Sequence, residues 1–169
     1  MKKPFVAVLM GSDSDLATVQ HTLDILDTLE IPWESKITSA HRTPEDTRNF
    51  VIDAENRGCA VFIAAAGLAA HLAGAVAALT IRPVIGIPLD AGPLSGWDSL
   101  LSTVQMPGGI PVACVATGKP GAVNAAWLSA QILAIEDQAL NQRLTMSRKE
   151  NVEKVRQKNN ALQAKLLEK

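Results

Sequence analysis

The chain has 169 residues, a formal net charge of -1, 47% hydrophobic and only 4% aromatic residues. That length suits one domain with a sizeable core, and the charge and aromatic content lack the basic patch and stacking surfaces that nucleic-acid binding needs. Cys59 and Cys114 have no C-x-x-C spacing and no clustered histidines. Neither a zinc site nor a disulfide framework is expected, and a reducing cytoplasm fits.

In chain order, Phe5 to Met10 is a short apolar run that ends in Gly11-Ser-Asp-Ser-Asp15. It is too short for a secretory signal and reads as a first strand leading into a loop. Leu16, Val19, Leu23, Leu26 and Leu29 follow at helical spacing. Trp33 to Thr38 reads as a second strand, followed by a helix marked by Phe50, Val51 and Ala54. Ala60 to Ala65 is a third strand and Leu72 to Leu79 a third helix. The stretch from Cys59 to Ile81 carries no charged residue, but it is dominated by Ala and Gly and lacks aromatic belts. A buried strand, turn and helix fits it better than a membrane span.

Pro83 to Ile87 is the fourth strand. Gly92 to Leu101 and Gln105 to Pro111 read as loops shaping a pocket or a subunit contact, separated by a short helical piece around Leu100 to Val104. Pro111 to Val115 is the fifth strand, and Gly118 to Gly121 a turn into a helix over Ala122 to Leu140. Strands alternating with helices predict βαβ units and a parallel sheet covered on both faces, with strands buried on both sides. From about Asn141 the composition changes to a polar helix carrying half of the sixteen Lys and Arg residues. Val152, Val155, Leu162 and Leu166, with Asn159 between them, form an a/d-like seam. The expected division is a catalytic domain over 1–140 and a helical extension over 141–169 that packs on a neighbouring subunit or on its own domain.

In an open parallel sheet, ligands collect beyond the carboxyl ends of the strands, and three loops fall there. In Gly11 to Asp15, Ser12, Ser14 or Asp15 can cap the next helix, whose amides and dipole suit a phosphate. In Ser39-Ala-His-Arg-Thr-Pro44, Thr43 and Pro44 form a helix start, which holds His41 and Arg42 at a corner. Imidazole exchanges protons near neutral pH and guanidinium binds phosphate or carboxylate. In Ala66 to His71, small residues around Gly67 let backbone amides approach a ligand, and His71 begins or enters the next helix. Two histidines on adjacent loops suggest an acid–base site beside a dry pocket. His21, inside the first helix, reads as surface or packing.

Five stretches then resemble one family in one order: Gly11-Ser-Asp-Ser-Asp15, Ser39 to Pro44, Gly67-Leu-Ala-Ala-His-Leu72, Asp98-Ser-Leu-Leu-Ser102 and Val104 to Val112. Over residues 5 to 145 the chain resembles the N5-carboxyaminoimidazole ribonucleotide mutases, the catalytic-subunit type of phosphoribosylaminoimidazole carboxylase. Arg42 and His71 resemble the bacterial mutase class rather than the carbon-dioxide-dependent carboxylases. The resemblance implies a flavodoxin-like three-layer sandwich, a homo-octamer with sites near subunit boundaries, and neither metal nor organic cofactor. It implies purine-biosynthesis chemistry on a ribonucleotide: Ser12, Asp15 and Arg42 bind the substrate, Ser39 and His41 lie against the imidazole and the migrating carboxylate, and Gly67 lines the site. His41 is the expected proton carrier and His71 a second polar wall. The alternatives are the carbon-dioxide-dependent carboxylase and a non-catalytic nucleotide-binding module. One departure stands out. Where the family reads Gly-Ala-Gly-Gly-Ala-Ala-His-Leu-Pro-Gly, this chain has Ala65, Leu68 and Ala73 in place of two glycines and the proline, so a positive φ at 68 would strain Leu.

Overall fold

The computed structural model describes residues 3–167. Two compact units divide it, one running through Ala130 and the other starting at Gln131.

In the first unit five strands, β1 Phe5–Met10, β2 Trp33–Ile37, β3 Cys59–Gly67, β4 Val84–Leu89 and β5 Ala113–Cys114, form one all-parallel sheet in the order β2-β1-β3-β4-β5. That order is the flavodoxin-like one. The helices are α1 Leu16–Thr28, α2 Pro44–Asn56, α3 Leu72–Ala77, α4 Trp97–Val104 and α5 Gly118–Leu133, with a 3-10 turn at Asp13–Asp15 before α1. Successive side chains of a strand point to opposite faces, so Phe5, Ala7 and Leu9 share a buried cluster with Phe62, Val51, Ala54, Leu72 and Val76 beneath α2 and α3. Val6 and Val8, both fully buried, serve the other face. There α1 and α5 are tied by the buried Thr22 hydroxyl, which donates to the Ala122 carbonyl at 2.9 Å. Gly86 makes room for α4, because a Cβ there would overlap the Thr103 methyl.

Several boundaries differ from the sequence reading for local reasons. Every residue of β1 and β4 is buried, as expected for a sheet covered on both faces, but β2 is an edge strand with Glu34 and Lys36 half-buried and Ser35 and Ile37 exposed. Burial on both faces therefore fails at β2, where one side has no neighbour. The fifth strand shrinks from Pro111–Val115 to two residues, paired only with Ile85 and Gly86. Pro111 has no N–H to offer a ladder. The helical piece expected around Leu100 to Val104 begins earlier, since Trp97 to Ser99, expected in a loop, form the first turn of α4, whose N-cap Gly96 is in the left-handed conformation (φ 80). The expected turn at Gly118–Gly121 is already helical, with Pro120 in the first turn, where its missing N–H costs nothing. The uncharged stretch 59–81 resolves into β3 and the six-residue α3. Among the described residues no helix is long and apolar enough to cross a membrane.

The second unit is dominated by α6 Gln138–Leu167. The helix expected over 122–140 ends at Leu133, and Asp137 restarts it by accepting the Leu140 N–H at 2.9 Å. An aspartate at this position competes with helix continuation and caps a new one. Within α6, Leu140 and Leu144 are buried, whereas every residue from Arg148 to Leu167 is exposed, including the seam residues Val152, Val155, Leu162 and Leu166.

Candidate active site

The register brings three strand ends level. Met10 pairs with Ile37 on one side and Ala65 on the other, so residues 11 and 38, which open the first two loops, stand level with the last two residues of β3. Backbone bonds hold them together: Gly11 N–H donates to Ala65 O at 3.1 Å, and Thr38 N–H to Met10 O at 2.9 Å. Here β1 lies between β2 and β3, where chain connections depart in opposite directions and a parallel sheet opens a crevice. A cavity of about 550 Å³ occupies it, within the range of small-ligand sites.

The first loop is a capping box. Ser12 Oγ accepts the Ser14 N–H at 3.3 Å, and the Asp15 carboxylate reaches back to accept the Ser12 N–H at 3.0 Å. Of the three expected caps, Ser12 thus caps the 3-10 turn and not α1, whose own N-cap position, Asp15, makes no side-chain cap bond. Asp15 is buried, and desolvation pushes its carboxyl above the usual carboxylate range, against the lowering effect of N–H groups from Ser12 and Gly11.

A raised folded-state value means the native protein holds this proton more tightly than the unfolded chain, so stability falls as pH rises through the window above the ordinary carboxylate value. Asp15→Asn keeps an acceptor and removes the buried charge. Its melting temperature relative to the parent is expected to increase from pH 3.5 to pH 7, read by calorimetry; an unchanged difference across that range would show that the charge carries no such cost.

In the second loop, Ser39 Oγ accepts the His41 N–H at 3.3 Å and the Arg42 N–H at 3.1 Å. With its acceptor capacity used, the hydroxyl hydrogen is left to donate toward the cavity. Thr43 corrects the sequence reading. It stands at the N-cap position of α2 with Pro44 in the first turn, but its hydroxyl makes no cap bond. The hydroxyl instead accepts the Ser39 N–H at 2.9 Å and joins Thr38 at 3.1 Å, and Thr38 in turn joins Thr47 at 2.7 Å. Thr43 therefore fixes the corner from below. Arg42 Nη2 donates to Gly11 O at 3.3 Å, which links the second loop to the first and commits one of the five guanidinium donors.

The third loop carries His71 at the N-cap position of α3, and its Nδ1 lies 2.8 Å from Nε2 of His41. The rings meet edge to face with centroids 4.9 Å apart. One proton between two facing nitrogens makes this a hydrogen bond, and which ring carries it sets both tautomers. Gly67 is required by close approach, since a Cβ there would overlap that of Ala91. Leu68 has φ 55, so the position does take the left-handed conformation, at a cost of roughly 1–2 kcal/mol for a residue with a Cβ.

The structure thus gathers Ser12, Asp15, Ser39, His41, Arg42, Gly67 and His71 on one cavity, with Ala40, Ala66, Ala69 and Ala91 as small walls. His21 does not line it. Sequence reasoning gave Ser102 no role. Its Oγ accepts the Ala70 N–H at 3.0 Å and donates to Asp98 O at 2.7 Å, which ties the third loop to α4. Its place in the Asp98–Ser102 motif was the available signal. Burial pushes the Cys59 thiol up to about 11, which leaves it unreactive, and among the described residues no three His, Cys, Asp or Glu side chains converge as a ligand set.

The model of the AIR carboxylase family matches residues 5–154. Curated N5-carboxyaminoimidazole ribonucleotide mutases are similar along most of the chain. That of Bacillus subtilis is 52% identical over 149 residues, covering 88% of this chain and 91% of the relative. That of Escherichia coli K12 is 51% identical over 150 residues, covering 89% of each. Among solved structures, Treponema denticola PurE superposes with a TM-score of 0.82 at 28% identity, covering 91% of this chain and 95% of that one. A PurE2 variant from the same organism gives 0.87 at 26% identity, covering 95% and 99%. With a family model matching residues 5–154 and relatives about half identical over most of its length, the chain belongs to the AIR carboxylase family.

Proposed function

We propose that this protein is an N5-carboxyaminoimidazole ribonucleotide mutase, an isomerase of purine biosynthesis that moves a carboxyl group from the exocyclic nitrogen of the substrate to carbon 4. The observation that carries the reading is the contact between His41 Nε2 and His71 Nδ1 in a cavity that also holds Arg42 and the seryl groups of the first loop. A pure nucleotide-binding module needs no such proton-exchanging pair.

The chemistry divides between the loops. Arg42 and the seryl hydroxyls of the first loop bind the phosphate, as a guanidinium fork and hydroxyl donors can. Asp15 holds that loop in its binding shape through the Ser12 N–H. The Ser39 hydroxyl donates to the migrating carboxylate. The carbon–nitrogen bond of the carbamate breaks, its electron pair stays on nitrogen, and His41 supplies the proton that nitrogen takes up. The electron-rich carbon 4 then attacks the carbon dioxide beside it, and the proton displaced from carbon 4 returns to His41. Atoms and electrons balance without a co-reactant. Holding carbon dioxide against carbon 4 replaces a bimolecular encounter, an advantage of about 10⁵ M or more in effective concentration. His71 completes the site by fixing the His41 tautomer and sharing its proton.

The test is interconversion of N5-carboxyaminoimidazole ribonucleotide and its 4-carboxy isomer by purified protein without added bicarbonate. A strict bicarbonate requirement would instead assign the carbon-dioxide-dependent carboxylase.

We further propose that the working form is a homo-octamer in the cytoplasm. The exposed apolar side chains of Leu94, Trp97 and Leu101 support burial between copies, and the exposed α6 seam supports its packing on a neighbouring subunit. The number eight rests on the family resemblance, and light scattering that returns a single-chain mass would remove it. The free thiols of Cys59 and Cys114 suit a reducing compartment.

A further inference from the structure

We propose that the segment covering the exposed seam of α6 is α6 of a second copy, the two helices running parallel as a two-stranded coiled coil in which Asn159 faces the partner's Asn159. The proposal rests on self-association of the chain and not on the mutase reading.

Val152, Val155, Asn159, Leu162 and Leu166 recur in alternating steps of three and four along α6, so they fall on one narrow stripe. Its four apolar members are 48% to 67% exposed. A helix that packs on a domain surface carries apolar residues at a further heptad position, which widens its buried face. Here the flanking positions hold Lys149, Asn151, Arg156, Lys158, Gln163 and Lys165, all exposed. A stripe this narrow, edged by long polar side chains, is what a single partner helix covers. Of the five seam residues only Val152 falls within the stretch that the family model matches, which ends at residue 154.

The polar residues set the direction. In a parallel pair like positions meet, so the two Asn159 amides face and satisfy each other by hydrogen bonding. The flanking contacts then join Asn151 to the partner's Arg156 and Lys158 to the partner's Gln163. No two like charges meet in them. In an antiparallel pair that overlaps the whole seam, Lys158 would face the partner's Lys158 or the partner's Lys165. Asn159 would lie against the partner's Val155 or the partner's Leu162, a buried amide without a partner. Both costs vanish in the parallel arrangement.

The seam spans about two heptads, too short to hold two free helices together. Attachment to the first units removes that difficulty. Once those associate, the tethered helices meet at an effective concentration on the order of millimolar.

The test places one cysteine on α6 of the full-length chain and oxidises the protein with oxidised glutathione. Leu166→Cys lies on the seam, whereas Ala164→Cys, close by on the same helix, points away from it. A parallel pair brings the two 166 positions within the Cα separation of about 7 Å that a disulfide tolerates. An antiparallel pair holds them more than about 15 Å apart. Leu166→Cys is expected to form a disulfide-linked dimer at least about tenfold faster than Ala164→Cys, read on non-reducing gels. The parent, with the free thiols of Cys59 and Cys114, gives the background. Adding Val155→Ser and Leu162→Ser to Leu166→Cys is expected to erase the difference, since both positions are exposed in the single chain and only the pairing needs them.

Equal rates at 166 and 164 would mean that the helices collide without pairing, and would overturn the proposal. Little linkage at either position, in protein that light scattering shows to be an oligomer, would overturn it in favour of an antiparallel pair or of a neighbour's first unit beneath α6. A serine double variant that links as fast as Leu166→Cys alone would overturn it too. A single-chain mass would remove self-association itself, and this inference with it.

Discussion

Replacing His41 by Asn is expected to slow isomer interconversion by about 10³-fold while leaving ligand affinity within about threefold. The asparagine amide can fill the space and hydrogen-bond to His71, but it cannot exchange a proton near neutral pH. Because His41 and His71 meet at 2.8 Å, they act as a unit. The double variant with His71→Asn is therefore expected to be no slower than His41→Asn alone, since groups serving one step lose their effects together. Steady-state rates with calorimetric ligand binding measure both quantities. A His41→Asn enzyme at parental rate would remove the imidazole from the reaction.

The second large effect is expected at Arg42. Arg42→Ala is expected to raise KM about a hundredfold, the loss of a charge-assisted pair with phosphate, and to lower kcat less. Arg42→Lys is expected to fall between the two, because it keeps the charge but loses the planar fork. The guanidinium also donates to the Gly11 carbonyl, so the alanine variant unfastens the first loop from the second. Inorganic phosphate should then protect the parent against thermal unfolding and protect Arg42→Ala much less. A KM unchanged to within about twofold would place the phosphate elsewhere.

Asp15 and Leu68 show a common pattern at this site. Each carries a local cost, a desolvated carboxylate in one case and a left-handed leucine in the other. Ordinary packing rules would replace both, with Asn and Gly. Departures of this kind concentrate where a protein works rather than where it merely folds.

Much of the fold was legible in the sequence because its signals are local. Apolar runs bounded by Gly, Pro or Asp located all five strands, and alternation with helical periods gave the parallel sheet. Reading failed where a neighbour decides. Glu34 and Lys36 mark β2 as an edge, but only sheet order tells an edge strand from one covered on both sides. Asp137 splits the expected helix over 122–140 by capping, which periodicity does not weigh against helix continuation. Thr43 stands at the N-cap position, yet its hydroxyl serves Ser39, a partner outside the helix.

For the site, the sequence by itself determined which three loops stand at the carboxyl edge and which side chains they carry, because a loop's place after a strand follows from chain order. It also marked Leu68 as the residue that would be strained if φ were positive. Tertiary structure alone decided that φ is positive there, that Leu68 lies on Gly92, that Ser102 anchors the third loop, and that His41 and His71 are in contact. These facts join residues 24 to 32 positions apart, and they depend on strand register and crossing loops. A sequence lists such residues, but only the packed sheet sets the distance between them.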